Sequence, residues 1–424
     1  AYEISLGLVG SEMCIRDSLK MPSILKDKNI VLGVTGSIAS YKAIDLASKL
    51  TQLEACVDVI MTQSATEFVK PLTFQSITHR SVISNIFDPA SDMAINHVTL
   101  AERADVVIVA PATASTIAKI AHGISDDALG TTLLATEAPV IVAPAMDGNM
   151  FENLATQKNI ATLIEGNFFI AGPESGRLAS GLTGTGRLLD TSKLVGAICM
   201  TVGRSGDLTD SKILISAGGT QESIDPARII TNHSSGKMGY AIAEAARDRG
   251  AQVTLVTAPN HLEDIVGVNT IKVVSALDMQ SNIESECIDA DAIIMAAAVS
   301  DWRPENYSQE KLKKTESSKS SIDLIKNPDI ISSINKAGLI KVGFAAETQD
   351  IEINAKKKIA AKNLDFVVAN DITSEASGFS SDNNKVIIIH SDDTLERFPL
   401  MPKYDVGNAI LDRVKKGLGN IKSI

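Results

Sequence analysis

The amino-acid sequence predicts an α/β protein built from two doubly wound domains. Short apolar runs that end in small or hydroxyl residues alternate with longer segments whose apolar residues recur at helical spacing. At 424 residues the chain exceeds one ordinary hydrophobic core, so two domains are expected. Aromatic residues make up only 4% of the sequence, which favours sheets covered by Ala-, Ile- and Val-rich helices over an aromatic-rich β-sandwich.

Charge and cysteine usage argue against several classes of protein. The net charge of -11 is unfavourable for a general nucleic-acid binder, so a phosphorylated ligand would need local cationic side chains and backbone N–H groups. The four cysteines form no CxxC pair, which predicts neither a disulfide framework nor a zinc site and favours a cytoplasmic location. No apolar run reaches the roughly 18 residues of a membrane span. Residues 1–20 lack the patterning that follows and are expected to be a non-native leader before Met21.

Four buried strands are predicted in the first half, over residues 29–35, 56–61, 104–110 and 140–143. Each strand is followed by small or hydroxyl residues, which predicts a ligand along the carboxyl edge of a parallel sheet. Gly36 and Ser37 separate the first strand from a helix, and a helix N-terminus of this kind binds phosphate. Because no GxGxxG follows that strand and no GxxxxGK[ST] occurs, a mononucleotide such as FMN is favoured over a dinucleotide.

Three further features of the first half are candidates for function. His97 lies beside a polar loop and ahead of a helix; a lone histidine is more often structural than catalytic. Residues 144–150, PAMDGNM, end a core strand with small residues that would expose backbone to a ligand, which strengthens the functional interpretation of His97. Residues 178–187, LASGLTGTGR, predict either a flap that closes over a substrate or a flexible hairpin.

Six motifs occur in order in this half: GVTGSIASYKA, MTQSATEF, INHVTL, APATASTIAKI, PAMDGNM and LASGLTGTGRL. In these motifs residues 28–190 resemble the flavin-dependent phosphopantothenoylcysteine decarboxylase family, whose fold is flavodoxin-like. The resemblance implies that His97 acts on the carboxylate and thiol region of the substrate. It implies oxidation of the cysteinyl thiol to a thioaldehyde, loss of CO₂ and reduction of the enethiolate. It also implies four residues that line FMN: Gly36, Ser37, Ser64 and Thr113.

Two residues depart from the pattern of that family, which has Asn where this chain has Asp147 and Cys where it has Ser180. An amide donates to a substrate carboxylate, whereas an ionised Asp147 repels it unless protonated or paired with a cation. A serine hydroxyl is a far weaker acid than a thiol. An active decarboxylase with altered proton delivery is favoured, and a flavin-binding oligomerisation scaffold around a working ligase is the alternative. A third, less favoured interpretation is a Rossmann-type reductase that acts on another nucleotide, and it predicts NAD(P) binding.

A second α/β alternation begins after residues 191–210, which are expected to link a domain over 21–190 to one over 211–424. Periodicity is lost from residue 194, and glycines follow. Strands are predicted over 252–257, 291–297, 342–344 and 366–369, with helices after Gly236 and over 351–362. Residues 215–239, ISAGGTQESIDPARIITNHSSGKMG, join a strand to a helix through a long polar turn. This turn suits an anion, although a surface excursion is the alternative.

Several local patterns of the second half are individually weak. Asp301 follows a strand, where Mg²⁺ on a triphosphate could bind, and the Lys311–Lys314 segment is ordinarily a solvated charge run. With TNHSSGKMG, AAAVSDWRP, KLKKT, KNPDI, VGFAAET and KNLDFVVANDI in order, residues 212–390 resemble the phosphopantothenate-cysteine ligase family, of Rossmann-like fold. The resemblance implies that Arg228 and Asn232 contact an acyl-nucleotide intermediate. It implies a set of CTP contacts: Asp301, Lys313, Asn327, Pro328, Asp329, Ile330, Phe344, Lys358 and Lys362.

Fused in this order, the two halves resemble the bifunctional proteins of bacterial coenzyme A biosynthesis. The ligase resemblance implies attack of the 4′-phosphopantothenate carboxylate on the CTP α-phosphate and aminolysis of the acyl-cytidylate by cysteine. The lysines and Mg²⁺ would neutralise the phosphates, and the Asn232 amide would donate to the acyl oxygen. Decarboxylation would then give 4′-phosphopantetheine. Only small-molecule partners are expected, with no nucleic acid or membrane, in a homo-oligomer with flavin sites between subunits. The choice between CTP and ATP stays open.

Overall fold

Two parallel sheets organise the protein, which a computed structural model describes over residues 24–85, 96–313, 321–347, 351–371 and 381–421. Each sheet carries one apolar cluster on each face. Along the first strand, for example, Leu32 packs on one face and Val31 on the other, as the alternation of a strand requires. The predicted pair of doubly wound α/β domains is confirmed.

The first domain has a five-stranded sheet in the order β2-β1-β3-β4-β5, with every pairing parallel. This is the strand order of flavodoxin-like folds, whose ligands bind beside the carboxyl ends of the strands. The strands are β1 (Asn29–Val34), β2 (Cys56–Met61), β3 (Val106–Ala112), β4 (Val140–Pro144) and β5 (Phe169–Ile170), followed by the hairpin β6 (Glu174–Arg177) and β7 (Thr183–Arg187). The helices are α1 (Ser40–Gln52), α2 (Pro71–Thr78), α3 (Asn96–Arg103), α4 (Ala114–Ala121), α5 (Ala128–Ala135), α6 (Gly148–Glu152), α7 (Leu154–Glu165) and α8 (Thr191–Val202).

Helix α8 occupies most of the segment predicted to be an aperiodic linker. Leu194, Ala197 and Ile198 are at most 1% exposed and belong to the core of the first domain, so the expected loss of periodicity from residue 194 is wrong. Gly196 interrupts the helical spacing of apolar residues, because it faces the second domain and not the core of the first. A Cβ atom on it would lie 3.3 Å from Nη1 of Arg247.

The second domain has an eight-stranded sheet in the order β12-β11-β8-β13-β16-β17-β19-β20. The first six strands in this order are parallel, which is the Rossmann arrangement, and the last two are antiparallel. The strands are β8 (Lys212–Ala217), β9 (Gln221–Asp225), β10 (Arg228–Thr231), β11 (Gln252–Thr257), β12 (Asn269–Lys272), β13 (Ala292–Met295), β14 (Trp302–Pro304), β15 (Leu324–Lys326), β16 (Ile340–Glu347), β17 (Phe366–Asp371), β18 (Asn383–Asn384), β19 (Val386–His390), β20 (Leu395–Arg397) and β21 (Met401–Pro402). The helices are α9 (Lys237–Asp248), α10 (Ala276–Glu286), α11 (Ile330–Ser333), α12 (Ile351–Lys362) and α13 (Lys403–Ile421).

The long polar turn predicted between β8 and α9 contains an antiparallel hairpin of β9 and β10. A second hairpin, β14 with β15, contacts it. The sequence signal of the first hairpin is the Asp225-Pro226 pair at its turn, which the prediction of a single excursion overlooked.

The two domains share a polar interface between α8 and the second domain. Lys193 binds Glu174 of the first domain at 2.6 Å and Glu263 of the second at 3.1 Å. Arg247, which is 5% exposed, pairs with Asp248 at 2.6 Å and donates to the carbonyl of Val266 at 2.9 Å. Within the described residues no helix combines the length and apolarity that crossing a bilayer would require.

Candidate functional site

A cavity of about 570 Å³ lies at the carboxyl edge of the first sheet, between the turns after β1, β3 and β4 and the β6–β7 hairpin. It brings together five of the residues predicted to act in the first half: Gly36, Ser37, Thr113, Asp147 and Ser180. Residues from four separate segments therefore meet where the alternation of strands and helices predicted a ligand.

Thr113 opens the cavity toward the N-terminus of α4. Its hydroxyl accepts a 3.2 Å hydrogen bond from the N–H of Thr116 and so caps the helix, while its own N–H donates to the hydroxyl of Thr35 at 3.1 Å. The hydroxyl of Ser37 lies 3.5 Å from the carbonyl of Ala145 across the cavity. Hydroxyls and helix N-termini are the donors that a phosphate requires, so this set fits a flavin nucleotide.

Ser64 is not among the residues that line this cavity, and its contact with FMN stays a prediction. A Cβ atom on Gly36 would lie 2.4 Å from Cβ of Ser64, so the exposed Ser64 packs directly against Gly36, which itself lines the cavity. His97 falls in α3, but its side chain lies outside the described residues and its role stays a prediction.

The predicted flap is the β6–β7 hairpin, which is fixed to the turn after β4. The N–H of Met146 donates to the carbonyl of Gly186 at 2.9 Å, and a Cβ atom on Gly186 would lie 2.2 Å from the carbonyl oxygen of Met146. At the tip, Ser180 reaches Asp147, which caps α6 by accepting from the N–H of Asn149 at 3.1 Å. The two departures from the decarboxylase pattern are therefore in contact.

Two cations of the same cavity share one carboxylate. Lys42 and Arg187 bind Oδ1 of Asp190 at 3.0 and 2.9 Å. The hydrogen bond from Lys42 is the largest influence on the pKa of Asp190, which lies below its usual value. Both cations are thereby oriented at the wall of the cavity.

A second cavity of about 520 Å³ lies at the carboxyl edge of the second sheet. It contains four of the predicted ligase residues: Asn232, Asp301, Phe344 and Lys358. Lys358 donates to the carbonyl of Phe344 at 2.6 Å. The amide nitrogen of Asn232 donates to the carbonyl of Val299 at 3.1 Å and lies 3.5 Å from that of Ala298.

The N-terminus of α9 forms one wall of this cavity. Gly236, at φ 76°, turns the chain into the helix through a conformation that favours glycine. Gly239 lets the helix approach β8, because a Cβ atom on it would lie only 2.6 Å from Cβ of Ala217. The first residues of α9 consequently line the cavity, and a helix N-terminus in that position suits a phosphate.

Four predicted CTP contacts support the wall without lining the cavity. Asn327 is 6% exposed and donates through its amide to the carbonyl of Ser300 at 2.8 Å, while its N–H donates to that of Asp301 at 2.8 Å. Asp329 caps α11 and binds Lys362 at 2.8 Å. The remaining two are Pro328, which is half-buried, and Ile330, which is 3% exposed in the core.

Lys362, Arg228 and Lys313 also lie outside the lining. Arg228 begins β10, and Asn232 follows the end of that strand, so the two are separated by about 13 Å of extended chain. Lys313 is exposed at the end of a described range. Lys362 is directed at Asp329. Contact of these three residues with a nucleotide therefore stays a prediction.

The cavity contains polar residues that the sequence-based predictions did not include among its contacts: Lys237, Asn370, Asn384 and Lys403. Lys237 binds Asp382 at 2.7 Å. Burial, and next the charge of Lys237, lower the pKa of Lys403 to about 8. Lys237 lies within the SSGKMG motif and could have been chosen from it. Lys403 begins the last helix and has no motif around it.

No cluster of three or more acidic, His or Cys side chains suited to a metal occurs among the described residues. Asp301 is a single exposed carboxylate on this second cavity. One carboxylate suits Mg²⁺ that is bound mainly by substrate phosphates and water, which is the usual arrangement at triphosphate sites.

Comparison with known proteins assigns both domains. The flavoprotein family profile matches residues 19–203, and the profile of the DNA/pantothenate metabolism flavoprotein C-terminal domain matches residues 208–418. The coenzyme A biosynthesis bifunctional protein CoaBC of Vibrio vulnificus strain CMCP6 is 44% identical over 93% of this chain and 99% of its own length. The chain belongs to the CoaBC family. The Bacillus subtilis CoaBC is 43% identical over 92% of this chain and 97% of its own length.

A crystal structure of the C-terminal domain of a CoaBC protein covers 51% of this chain and 100% of its own length, with 37% identity and a TM-score of 0.44. As a CoaBC protein the chain is a bifunctional flavoprotein with decarboxylase and ligase activities. The resemblance of both halves is thus confirmed, and the alternative of a ligase with a non-catalytic flavin scaffold is not favoured.

Proposed function

We propose that the second domain joins 4′-phosphopantothenate to cysteine with CTP, and that the first uses FMN to convert the product into 4′-phosphopantetheine. The observation that carries the ligase part is the second cavity. It combines the N-terminus of α9 with Lys358, Lys237, Lys403 and the amide of Asn232. Acyl activation needs neutralised phosphates and a donor at the acyl oxygen, and these groups supply both.

The ligase reaction begins when the substrate carboxylate attacks the α-phosphate of CTP and pyrophosphate leaves. The cysteine amine then attacks the acyl carbon, CMP leaves, and the ammonium proton is released. The 3.1 Å bond to Val299 orients the amide of Asn232, and the longer contact with Ala298 is the one that a substrate oxygen would replace. Asp301 would hold Mg²⁺ together with the phosphates.

In the first domain Gly36, Ser37 and Thr113 would hold FMN, with Ser64 beside Gly36. Bound FMN supplies reversible oxidation of the substrate thiol. The net reaction exchanges a carboxylate for hydrogen, so one proton must reach the carbon that loses CO₂. Ser180 would deliver that proton and recover it from a protonated Asp147, whose Oδ2 lies 2.9 Å from the hydroxyl.

A protonated Asp147 would accept the substrate carboxylate without charge repulsion, so the same proton would serve both binding and delivery to the carbon. His97 would act on the same region of the substrate.

Three large apolar side chains that line the flavin cavity are exposed: Ile38, Tyr41 and Met150. They support a homo-oligomer that covers the flavin site, because exposed apolar side chains around one cavity are unfavourable in water. The cysteines of the described residues, Cys56, Cys199 and Cys287, are unpaired, which supports the reducing cytoplasm.

One coupled assay tests the proposal. The purified protein is incubated with 4′-phosphopantothenate, cysteine, Mg²⁺ and either CTP or ATP, and nucleoside monophosphate and CO₂ are followed separately. CMP and CO₂ in equal amounts are expected with CTP. Turnover with ATP alone would contradict the nucleotide assignment. CMP without CO₂ from a flavin-loaded protein would restore the scaffold interpretation of the first domain.

A further inference from the structure

Asp225 is a buried carboxylate at the turn between β9 and β10, and it is 2% exposed. Its Oδ1 accepts hydrogen bonds from the N–H groups of Ala227 and Arg228 at 2.8 and 2.9 Å. These two bonds close the turn and account for one oxygen of the carboxylate.

The second oxygen joins two segments that are distant in sequence. Oδ2 accepts from Nε and Nη2 of Arg228 at 2.9 and 2.5 Å and from the N–H of Leu312 at 3.1 Å. Nη2 of Arg228 also donates to the carbonyl of Leu312 at 2.9 Å. The carboxylate, the guanidinium and the backbone N–H and C=O of Leu312 thus form a closed ring of hydrogen bonds.

The ring fixes the chain that leads to Lys313. The N–H of Ser308 donates to the carbonyl of Ile224 at 3.0 Å, so the segment is bound to β9 at two places. Lys313 follows Leu312 directly and is exposed. Arg228 and the backbone just before Lys313 therefore bind the same buried carboxylate. Both cations have predicted roles in the ligase.

We propose that Asp225 is a positioning residue of the ligase, which holds the guanidinium of Arg228 and the backbone before Lys313 in one fixed arrangement. The inference rests on the proposed roles of those two residues. The hydrogen bond from Arg228 is the largest influence on the pKa of Asp225, which lies well below its usual value, so the carboxylate stays ionised over the working range of pH.

The different exposure of the two charged side chains indicates that Asp225 does more than close the turn. The side chain of Asp225 is 0% exposed, whereas that of Arg228 is 48% exposed. Within the described residues, Nε and Nη2 of Arg228 are engaged by the ring and Nη1 is not. Asp225 thus fixes the plane of the guanidinium and leaves its outer edge available to an anionic substrate.

Asp225→Asn tests the proposal in the full-length enzyme. The amide keeps the shape of the side chain but presents N–H groups to the donors of Arg228 and Leu312. Loss of a hydrogen bond to a charged group predicts a fall of about 10- to 100-fold in the kcat/KM for CTP. Decarboxylation of added phosphopantothenoylcysteine should not change, because it occurs in the other domain.

Two comparisons separate positioning from general stability. Asp291→Asn is the matched control, since Oδ2 of Asp291 also accepts a backbone N–H, that of Lys212 at 2.7 Å, but at the opposite edge of the sheet. Asp225→Asn combined with Lys313→Gln should be no worse than the poorer single variant, because residues that act as a unit are not additive. Additive losses, or an equal loss in Asp291→Asn, would overturn the proposal.

A second pair of variants applies if Asp225→Asn does not fold. Leu312→Pro removes the N–H that binds Asp225, whereas Leu312→Ala keeps it and shortens the side chain. The proline variant should lose CTP-dependent turnover by at least about tenfold and the alanine variant should not. Equal activities would contradict the proposal. Wild-type turnover with CTP is established first, so a failure of the proposed function is recognised there.

Discussion

The hydroxyl of Ser180 donates a 2.9 Å hydrogen bond to Oδ2 of Asp147. These are the two positions at which the flavin domain departs from the decarboxylase pattern, and their contact makes the two departures one structural change. An amide and a thiol are replaced by a carboxylate and a hydroxyl that bind each other. The hydroxyl is a poor acid alone, but a protonated carboxyl beside it can replace the proton that it gives up.

Removal of either member of this pair should impair decarboxylation. Ser180→Ala and Asp147→Asn are expected to lower its kcat by roughly 10²- to 10⁴-fold, because proton delivery to the substrate carbon is lost. CMP formation by the ligase should persist. CO₂ and 4′-phosphopantetheine are measured separately, since a defect in proton delivery stops the second product more than the first.

Ser175→Ala provides the control on the same hairpin. Ser175 shares a 2.8 Å hydrogen bond with Thr185 and lies outside the flavin cavity. A loss as large as that of Ser180→Ala would show that the hairpin is merely sensitive to substitution. Turnover that Ser180→Cys retains and Ser180→Ala loses would support the role of an acidic hydrogen at this position.

Asn232→Asp should stall the ligase after the acyl-nucleotide has formed. The substitution replaces an amide donor by a carboxylate that faces the carbonyl oxygens of Val299 and Ala298 and would repel the acyl oxygen. Pyrophosphate release in a single turnover should continue while CMP release falls by roughly 10²-fold or more. Asn282→Asp, on the exposed side of α10, is the matched control and should retain both steps.

The lowered pKa of Lys403 predicts how the use of CTP depends on pH. Its pKa of about 8 means that the free enzyme loses this charge as the pH rises through 8, so the kcat/KM for CTP should fall there. Lys403→Arg should abolish the fall because arginine stays charged. Lys415→Arg, which alters an exposed lysine paired with Asp207, should leave it in place. A wild-type profile that is flat from pH 7 to about 9 would contradict the role of Lys403.

The same group has the opposite effect on stability. Its pKa lies below the ordinary 10.5, so the unfolded chain binds the proton more tightly than the folded one between about pH 8 and 10.5. The contribution of Lys403 to the free energy of unfolding therefore rises with pH in that window. Thermal unfolding of wild type and Lys403→Met, compared at pH 7.5 and 10, measures this difference.

Gly186→Ala should reduce flavin binding. The new methyl group would lie 2.2 Å from the carbonyl oxygen of Met146, so the backbone of the hairpin must move, at a cost of about 1–3 kcal/mol. Gly184→Ala is the control on the same strand, because its nearest atom would be Cδ1 of Leu178 at 3.6 Å. Flavin absorbance per protein and the melting temperature are measured; equal flavin content in the two variants would contradict the prediction.

Local patterns were sufficient to predict most strands of the two parallel sheets, although β5, β12, β19 and β20 were not predicted. The strands β2 and β11 begin and end where their apolar runs do, because a run between polar residues has few alternatives in a buried parallel sheet. Asn232, Asp301 and Thr113 were also predictable, since each directly follows a strand or lies in a motif at its end.

Residues that reach a site from elsewhere could not be predicted in this way. Lys403 joins the nucleotide cavity only because β19 and β20 bring the last helix back to the sheet. Asp225 was not singled out from the sequence, because its partner Leu312 lies in a different segment. Ser64 and Asn327 are motif residues that contact a lining residue without lining a cavity themselves, and their contact with a ligand stays a prediction.

Helix α8 belongs to the core of the first domain and packs on α9 of the second, with Lys193 bound to carboxylates of both domains. The connection between the domains therefore holds the two cavities at a fixed separation and does not act as a flexible linker. This separation sets the local concentration, around the flavin site, of the phosphopantothenoylcysteine that the ligase releases. Extra residues inserted at Gly206 would change that concentration only if α8 first separated from α9.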